Sequence, residues 1–354
     1  MAEYIRVLRA AHAHFIKKLA LETEQKRVFL ALLRQKNRIR QKVGGTQIEW
    51  RLRFKQHSLE GVDDMEVLTW VRENTYQVAT LPWRELVVKD VISRREVKLV
   101  KGKPEAIIDI YRDVMDRLKE DFSTGFADDL WIDGNASGNT KRFHGIESVM
   151  ADDNATVDAD LTAANSDTYA GLSTVEGNYG NQVGDPGNRW FSPYLVNAGA
   201  NGGSWKANAD DVLHRAFVET TFGNGQEGQV TVVVLNKTSW IDMLDLIDPK
   251  ERIIIGQNNA LTKLGFRNIE WDGVPITWDF GVPTSVSNPG AKTVHGYGLN
   301  LGAIELLFAG NQGDIAEGNV FFDEDQRGYK CLVESLGNMK IDKPRRHFKI
   351  ATYA

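Results

Sequence analysis

Few of the 354 residues have the types and spacing that could do chemistry. Gly223-Asn-Gly-Gln-Glu-Gly228 has the glycine content of a phosphate cradle. It lacks the Lys and the Ser or Thr that hold phosphate and magnesium in a P-loop, so it reads as a turn between a helix and a strand. Gly134-Asn-Ala-Ser137-Gly138 places its serine wrongly for a nucleophile elbow and reads as a loop. No His-Glu-x-x-His zinc pattern occurs, and His12 and His14, two apart on a helix, point to different faces. Asp152 to Asp160 and Asp323-Glu-Asp325 offer oxygen ligands without the Asp, Gly and Glu spacing of a calcium loop, so they read as solvated loops. Trp190, Trp205, Trp271 and Trp278, near Asn and Gly, could build a sugar platform, but tryptophans scattered in this way read as core and subunit contacts. The expectation is a chain without catalytic residues, metal ligands or a cofactor.

The elements that would have to position any site come next. The hydrophobic share of 42% and charged share of 26% belong to a folded globular chain, and the length suggests two lobes. No apolar run approaches the roughly 18 residues of a membrane span, and residues 1 to 20 lack the apolar core of a signal peptide. With Cys331 the only cysteine, no intrachain disulfide can form, which fits a reducing compartment. The net charge of -5 is unevenly spread, because residues 1 to 45 hold eleven Lys or Arg against three Glu. A basic arm on an acidic body is expected to meet phosphates or an acidic protein surface.

Along the chain, Ile5, Leu8, His12, Phe15 and Leu19 recur at spacings of three and four. With Val28, Phe29, Leu32 and Leu33 they predict one or two amphipathic helices before a hinge at Gly44-Gly45. Ile48, Trp50, Leu52 and Phe54 alternate with charged residues, the period of a half-buried strand. A β-branched stretch from Leu81 to Val100 would complete a long hairpin, whose apolar stripe must lie against something. Pro104 and Glu105 start a helix whose apolar face, Ile107, Tyr111, Val114, Leu118 and Phe122, runs to Asp133-Gly134. Residues 134 to 208 are loop-rich. A helix from Asp210 to Thr221, a strand from Gln229 to Leu235 and a helix from Lys237 to Leu246 follow. Further strands are expected at Asn268 to Trp271, Val274 to Asp279, His295 to Leu299, Ile304 to Phe308, Tyr329 to Val333 and His347 to Thr352. The class is α+β with a mixed sheet.

This order of parts resembles the tailed-bacteriophage major capsid protein family, whose fold is named for the coliphage Hong Kong 97. The likeness covers essentially the whole chain. Leu118 to Gly134 with His144-Gly-Ile146 is similar to the end of that family's spine helix and its descending segment, and Tyr169-Ala-Gly-Leu-Ser-Thr174 with Asn188-Arg-Trp190 to the loop beyond. Leu264-Gly-Phe266 with Val274-Pro-Ile-Thr-Trp-Asp279 resembles a strand pair of the outer lobe, and Lys343-Pro-Arg-Arg346 the C-terminal return.

The resemblance implies an N-terminal arm at residues 1–45, an extended β-hairpin loop at 46–101, a peripheral lobe with the spine helix at 102–140 and 300–354, and an axial lobe at 141–299. It implies a non-enzymatic head protein that self-assembles into the pentamers and hexamers of an icosahedral shell around packaged double-stranded DNA. Scaffolding, portal and decoration proteins would be its partners, no membrane would be involved, and assembly would take place in the host cytoplasm to give the virion capsid. Ile5, Leu8, Phe15, Trp50, Leu52, Phe54, Trp70 and Trp83 are the candidate inter-subunit contacts. Some relatives link a loop lysine covalently to the next subunit, but residues 57 to 80 hold no lysine, so a non-covalent shell is expected. An encapsulin-like compartment shares the implied fold, and a carbohydrate-binding protein or enzyme using the loops of residues 165 to 208 is the rival from another class.

Overall fold

The computed structural model describes residues 27–42, 45–53, 57, 59–99, 104–150, 168–174, 191–199, 204–221, 229–247, 261, 264–286, 292–309, 317–323 and 328–353. Helix α1 (Val28–Gln35) and strand β1 (Ile39–Lys42) open the described chain. Strands β2 (Gln47–Arg53) and β3 (Tyr76–Pro82) pair antiparallel as a two-stranded ribbon. Trp83 then breaks the strand, and β4 (Arg84–Ser93) joins a different sheet before the short helix α2 (Arg94–Leu99). The expected partner strand thus begins at Tyr76 rather than Leu81, and only its first half belongs to the hairpin.

The spine helix α3 (Pro104–Asp129) has 26 residues and is about 39 Å long at 1.5 Å per residue. Its apolar positions recur every three or four residues, so Tyr111, Val114, Leu118, Phe122 and Phe126 form one buried stripe. That stripe packs on the first sheet. Helix α4 (Glu147–Met150), strands β5 (Thr168–Tyr169) and β6 (Leu172–Ser173), β7 (Tyr194–Asn197), helix α5 (Trp205–Thr220), strand β8 (Val232–Leu235) and helix α6 (Lys237–Ile247) follow. The rest is nearly all strand: β9 (Ile269–Trp271), β10 (Val274–Trp278), β11 (Ser285–Val286), β12 (Lys292–Leu299), β13 (Ile304–Ala309), β14 (Glu317–Asp323), β15 (Gly328–Ile341) and β16 (Phe348–Tyr353).

The 14-residue β15 organises the first sheet. One edge pairs with β4, while the other pairs with β14 along its first half and with β13 along its last five residues; β1 adds parallel to β13. Successive residues of a strand face opposite sides, so Tyr329, Cys331, Val333, Met339 and Ile341 are buried on the face that meets α3. The second sheet runs β7-β16-β12-β8-β10-β9, with β11 beside β12. Helices α5 and α6 bury Trp205, Leu213, Phe217, Trp240 and Met243 with this sheet's Val233, Leu235 and Ile350 in a second core. Asp272 and Gly273 take positive φ (49° and 75°) in the tight turn between β9 and β10, a backbone that twists with the strands it joins.

Two expectations are corrected. Residues 28 to 42 lie in the body: Phe29, Leu30 and Leu33 are at most 1% exposed, and β1 is a sheet strand. Continuous apolar residues made this stretch read as arm, yet a helix apolar all round is a core helix. Second, the C-terminal chain does not stay with the peripheral sheet. After the 3-10 turn Pro344–Arg346, β16 crosses into the second sheet between β7 and β12.

Candidate assembly surface

The ribbon of β2 and β3 is fastened at its root and bare at its tip. Ile48, Trp50 and Leu52 on β2, with Ala79 and Leu81 on β3, turn one face into the chain's own core. Trp50 lies 6.3 Å from the Tyr169 ring, and the Lys340 ammonium sits 5.5 Å from its centroid. Tyr169 is fixed in turn: its hydroxyl donates to the Met339 carbonyl (2.9 Å) and accepts from the Ile341 amide (3.0 Å). The Thr80 amide donates to the Ala170 carbonyl at 3.0 Å, tying β3 to the β5–β6 turn.

Asn338, fully buried on β15, completes the root. Its side-chain amide donates to the Pro82 carbonyl (2.9 Å), and its oxygen accepts from the backbone amides of His144 and Met339, both at 2.9 Å. Arg84 reaches the carbonyls of Gly134 (2.9 Å), Asn139 (3.3 Å) and Arg142, so the strand break at Trp83 is also where the loop after α3 is held. Trp83 is half-buried, and its indole donates to the Gly45 carbonyl at 3.0 Å. An anchored root of this kind fixes the direction in which the far end points.

Beyond the strands, the described residues 57 and 59–75 have no helix or strand. Leu59 is fully exposed, Met65, Val67 and Trp70 are 94%, 89% and 90% exposed, and Val71 is 74% exposed. Glu60, Asp63, Asp64 and Glu66 are interleaved with them. Single exposed apolar side chains are ordinary, but so many within one short segment form a patch of the kind that marks an interaction surface.

The candidate contact residues therefore divide. Trp70 is on the bare tip and Trp83 at the root. Trp50 and Leu52, 8% and 5% exposed, are corrected to core residues of this chain. The alternation in β2 identified which face is buried; the cover is supplied by Tyr169, Lys340 and the first core rather than by another molecule. Ile5, Leu8, Phe15 and Phe54 lie outside the described residues, as do His12, His14, Asp152 to Asp160, Trp190 and Gly223 to Gly228.

One constellation with the look of catalytic chemistry escaped the sequence reading. His295 Nδ1 is 2.8 Å from the Ser239 hydroxyl, and its Nε2 is 2.8 Å from the Thr352 hydroxyl. A nucleophile and base arranged so would need a carboxylate where Thr352 stands. Trp205 stacks on the imidazole at 5.2 Å, Ser239 and His295 are buried, and burial pushes the histidine down to about 4. The hydroxyl pair and the indole hold a neutral imidazole as a packing element between α5, α6 and the second sheet. Among the described residues, no group of three His, Cys, Asp or Glu is placed to hold a metal, and no helix is long and apolar enough to cross a membrane.

Comparison with known folds separates the possibilities that this architecture leaves open. A capsid of a native GTA particle superimposes with a TM-score of 0.59 over 91% of this chain and 90% of its own, at 12% identity. The cyanophage A-1(L) capsid gives 0.56 over 90% of each chain, at 15% identity. The fold is that of the Hong Kong 97-type phage capsid. The capsid of the Myoviridae phage XM1 shares it, with a TM-score of 0.50 over 90% of each chain at 11% identity. No protein-family model and no curated protein matches the sequence. In this capsid fold the anchored ribbon is the extended loop, α3 is the spine helix, and the two sheets are the cores of the peripheral and axial lobes.

Proposed function

We propose that this chain is the major capsid protein of a tailed bacteriophage, a structural subunit and not an enzyme, which self-assembles into pentamers and hexamers of an icosahedral shell enclosing double-stranded DNA. The exposure of the loop tip carries this reading. A subunit that buries more than sixty apolar side chains in its own body leaves Leu59, Met65, Val67, Trp70 and Val71 bare at the end of a rigidly rooted ribbon, and copies of itself are the surface that would cover them. Shell subunits make heterologous contacts that close into rings, and obligate interfaces bury on the order of 2,000 Å² or more, beyond what one loop supplies. The remaining area comes from the flanks of both lobes. With no lysine at residues 57 to 80, the contacts made by the tip are non-covalent. Scaffolding and portal proteins are further partners in the host cytoplasm, and the mature location is the virion.

Electron micrographs of the purified, expressed protein test the reading. Closed shells or rings of five and six subunits are expected. A uniform field of isolated particles of subunit size would overturn it.

A further inference from the structure

A cavity of about 900 Å³ lies between one flank of the spine helix and the chain on either side of the β9–β10 hairpin. Asp116, Glu120, Ser123 and Thr124 wall it from α3, and Phe266, Trp278 and Phe280 supply an aromatic side. Arg27 and Val28 line it as well, so the described chain begins there. Arg27 has extended backbone angles (φ -112°, ψ 123°), which means that the chain does not run straight back along the axis of α1 but turns away beside the cavity. Phe280 is 70% exposed and meets Trp278 edge to face at 4.6 Å, an aromatic pair open on one side.

We infer that this cavity is the seat of residues 19–26 of the same chain. Three observations point to that occupant. The segment is tethered at the cavity itself, through Arg27. Its size fits: a helix about 10 Å across rising 1.5 Å per residue fills about 120 Å³ per residue, so about two turns occupy the space, and residues 19 to 26 then span about 12 Å, the length of the α3 wall from Asp116 to Thr124. Its chemistry fits too. Leu19 and Leu21 match the aromatic side, while Glu22, Glu24 and Lys26 carry both signs of charge, as do Lys119, Arg267, Asp116 and Glu120 around the cavity. Tethering makes the local concentration of this segment high, on the order of millimolar for a short linker, so weak contacts suffice to hold it. Seated this way, it would present the basic residues Arg6, Arg9, Lys17 and Lys18 from the flank of the spine helix.

Cysteine pairing in the full chain tests this. Ala20→Cys combined with the exposed Thr124→Cys, and separately Leu21→Cys with the exposed Glu120→Cys, are treated with a short bismaleimide in dilute, unassembled protein. The native Cys331 stays out of the reaction because it is buried, with its thiol pushed up to about 12. The expected product is an intrachain link at the mass of one subunit, reduced several-fold when Phe280→Asp is added. Links that form only between chains, or singly attached reagent at both positions of both pairs, would overturn the inference. Because the readout is on dilute subunits, it is independent of whether shells form.

Discussion

The hydroxyl of Tyr297 donates to Oε2 of Glu147 across 2.6 Å, with both residues fully or almost fully buried. The other carboxylate oxygen pairs with the Lys349 ammonium, which also reaches the Met150 carbonyl at 3.5 Å. Glu147 is on α4, just past the spine helix, whereas Tyr297 and Lys349 are on β12 and β16 of the second sheet. Trp131, at the end of the spine, stacks on Tyr297 at 5.5 Å. A buried charge pair, a hydroxyl and an indole thus bind the spine to the axial lobe at one point.

Removing one member of that pair leaves an uncompensated buried charge. Lys349→Met is expected to destabilise the subunit by about 3–5 kcal/mol, and Glu147→Gln with Lys349→Met together by clearly less. Tyr297→Phe loses one hydrogen bond to a charged group, worth about 1.5–3 kcal/mol. Urea unfolding of the unassembled subunit measures all three; equal losses in the single and double variants would remove the pair from this account.

The two ends of the extended loop should respond oppositely to the same substitution. Trp50→Ser opens a cavity in the core and is expected to cost about 3–5 kcal/mol of subunit stability. Trp70→Ser, on the bare tip, should change subunit stability by no more than about 0.5 kcal/mol while sharply lowering the yield of particles. Thermal melts of dilute subunits, set beside particle counts, separate the two effects.

That contrast shows where the residues were readable and where they were not. The period-two alternation of β2 and the 3.6-period stripe of α3 are local, so their elements and buried faces were legible in advance. What covers a face is a non-local matter: Trp50 and Leu52 were assigned to a neighbour because nothing near them in sequence announces Tyr169, more than a hundred residues on. The passage of β16 into the second sheet was hidden for the same reason, since pairing with β12 and β7 leaves no mark within Phe348–Tyr353. The missed strand β14, Glu-Gly-Asn-Val-Phe-Phe-Asp, lacks a clean alternation and is made a strand by β15. The Ser239–His295–Thr352 contacts join three distant elements and had no sequence signal at all.

Acid should weaken the subunit in a defined window. Burial pushes His144 and His347 down to about 3, helped by Arg84 and Arg346 respectively, and His295 down to about 4. The unfolded chain takes these protons near pH 6.5 and the folded chain refuses them. Their contribution is therefore complete above about pH 6.5 and is lost as the pH falls towards 3–4, at about 1.4 kcal/mol per pH unit for each histidine. Asp129 runs the other way: burial, partly opposed by Arg142, raises it to about 6, so the folded chain gains one proton between about pH 6 and 4. Urea midpoints measured from pH 7.5 to 5 should fall, and His295→Gln should flatten that fall.

Gly298 is a position where only hydrogen fits. A Cβ there would lie 2.2 Å from ring atoms of Phe348 on the neighbouring strand β16. Gly298→Ala is expected to cost about 1–3 kcal/mol through overpacking, with much of the loss recovered by adding Phe348→Leu. Unfolding curves of the two variants check this, and a neutral Gly298→Ala would show that the strands can part there.

The central claim is that copies of this chain cover its projecting loop, and sedimentation velocity of the full chain over a wide concentration range tests it most directly. The account predicts large, discrete, closed species that grow at the expense of the subunit as concentration rises and that vanish with Trp70→Ser. A single boundary at the mass of one subunit, unchanged at every concentration, would contradict it.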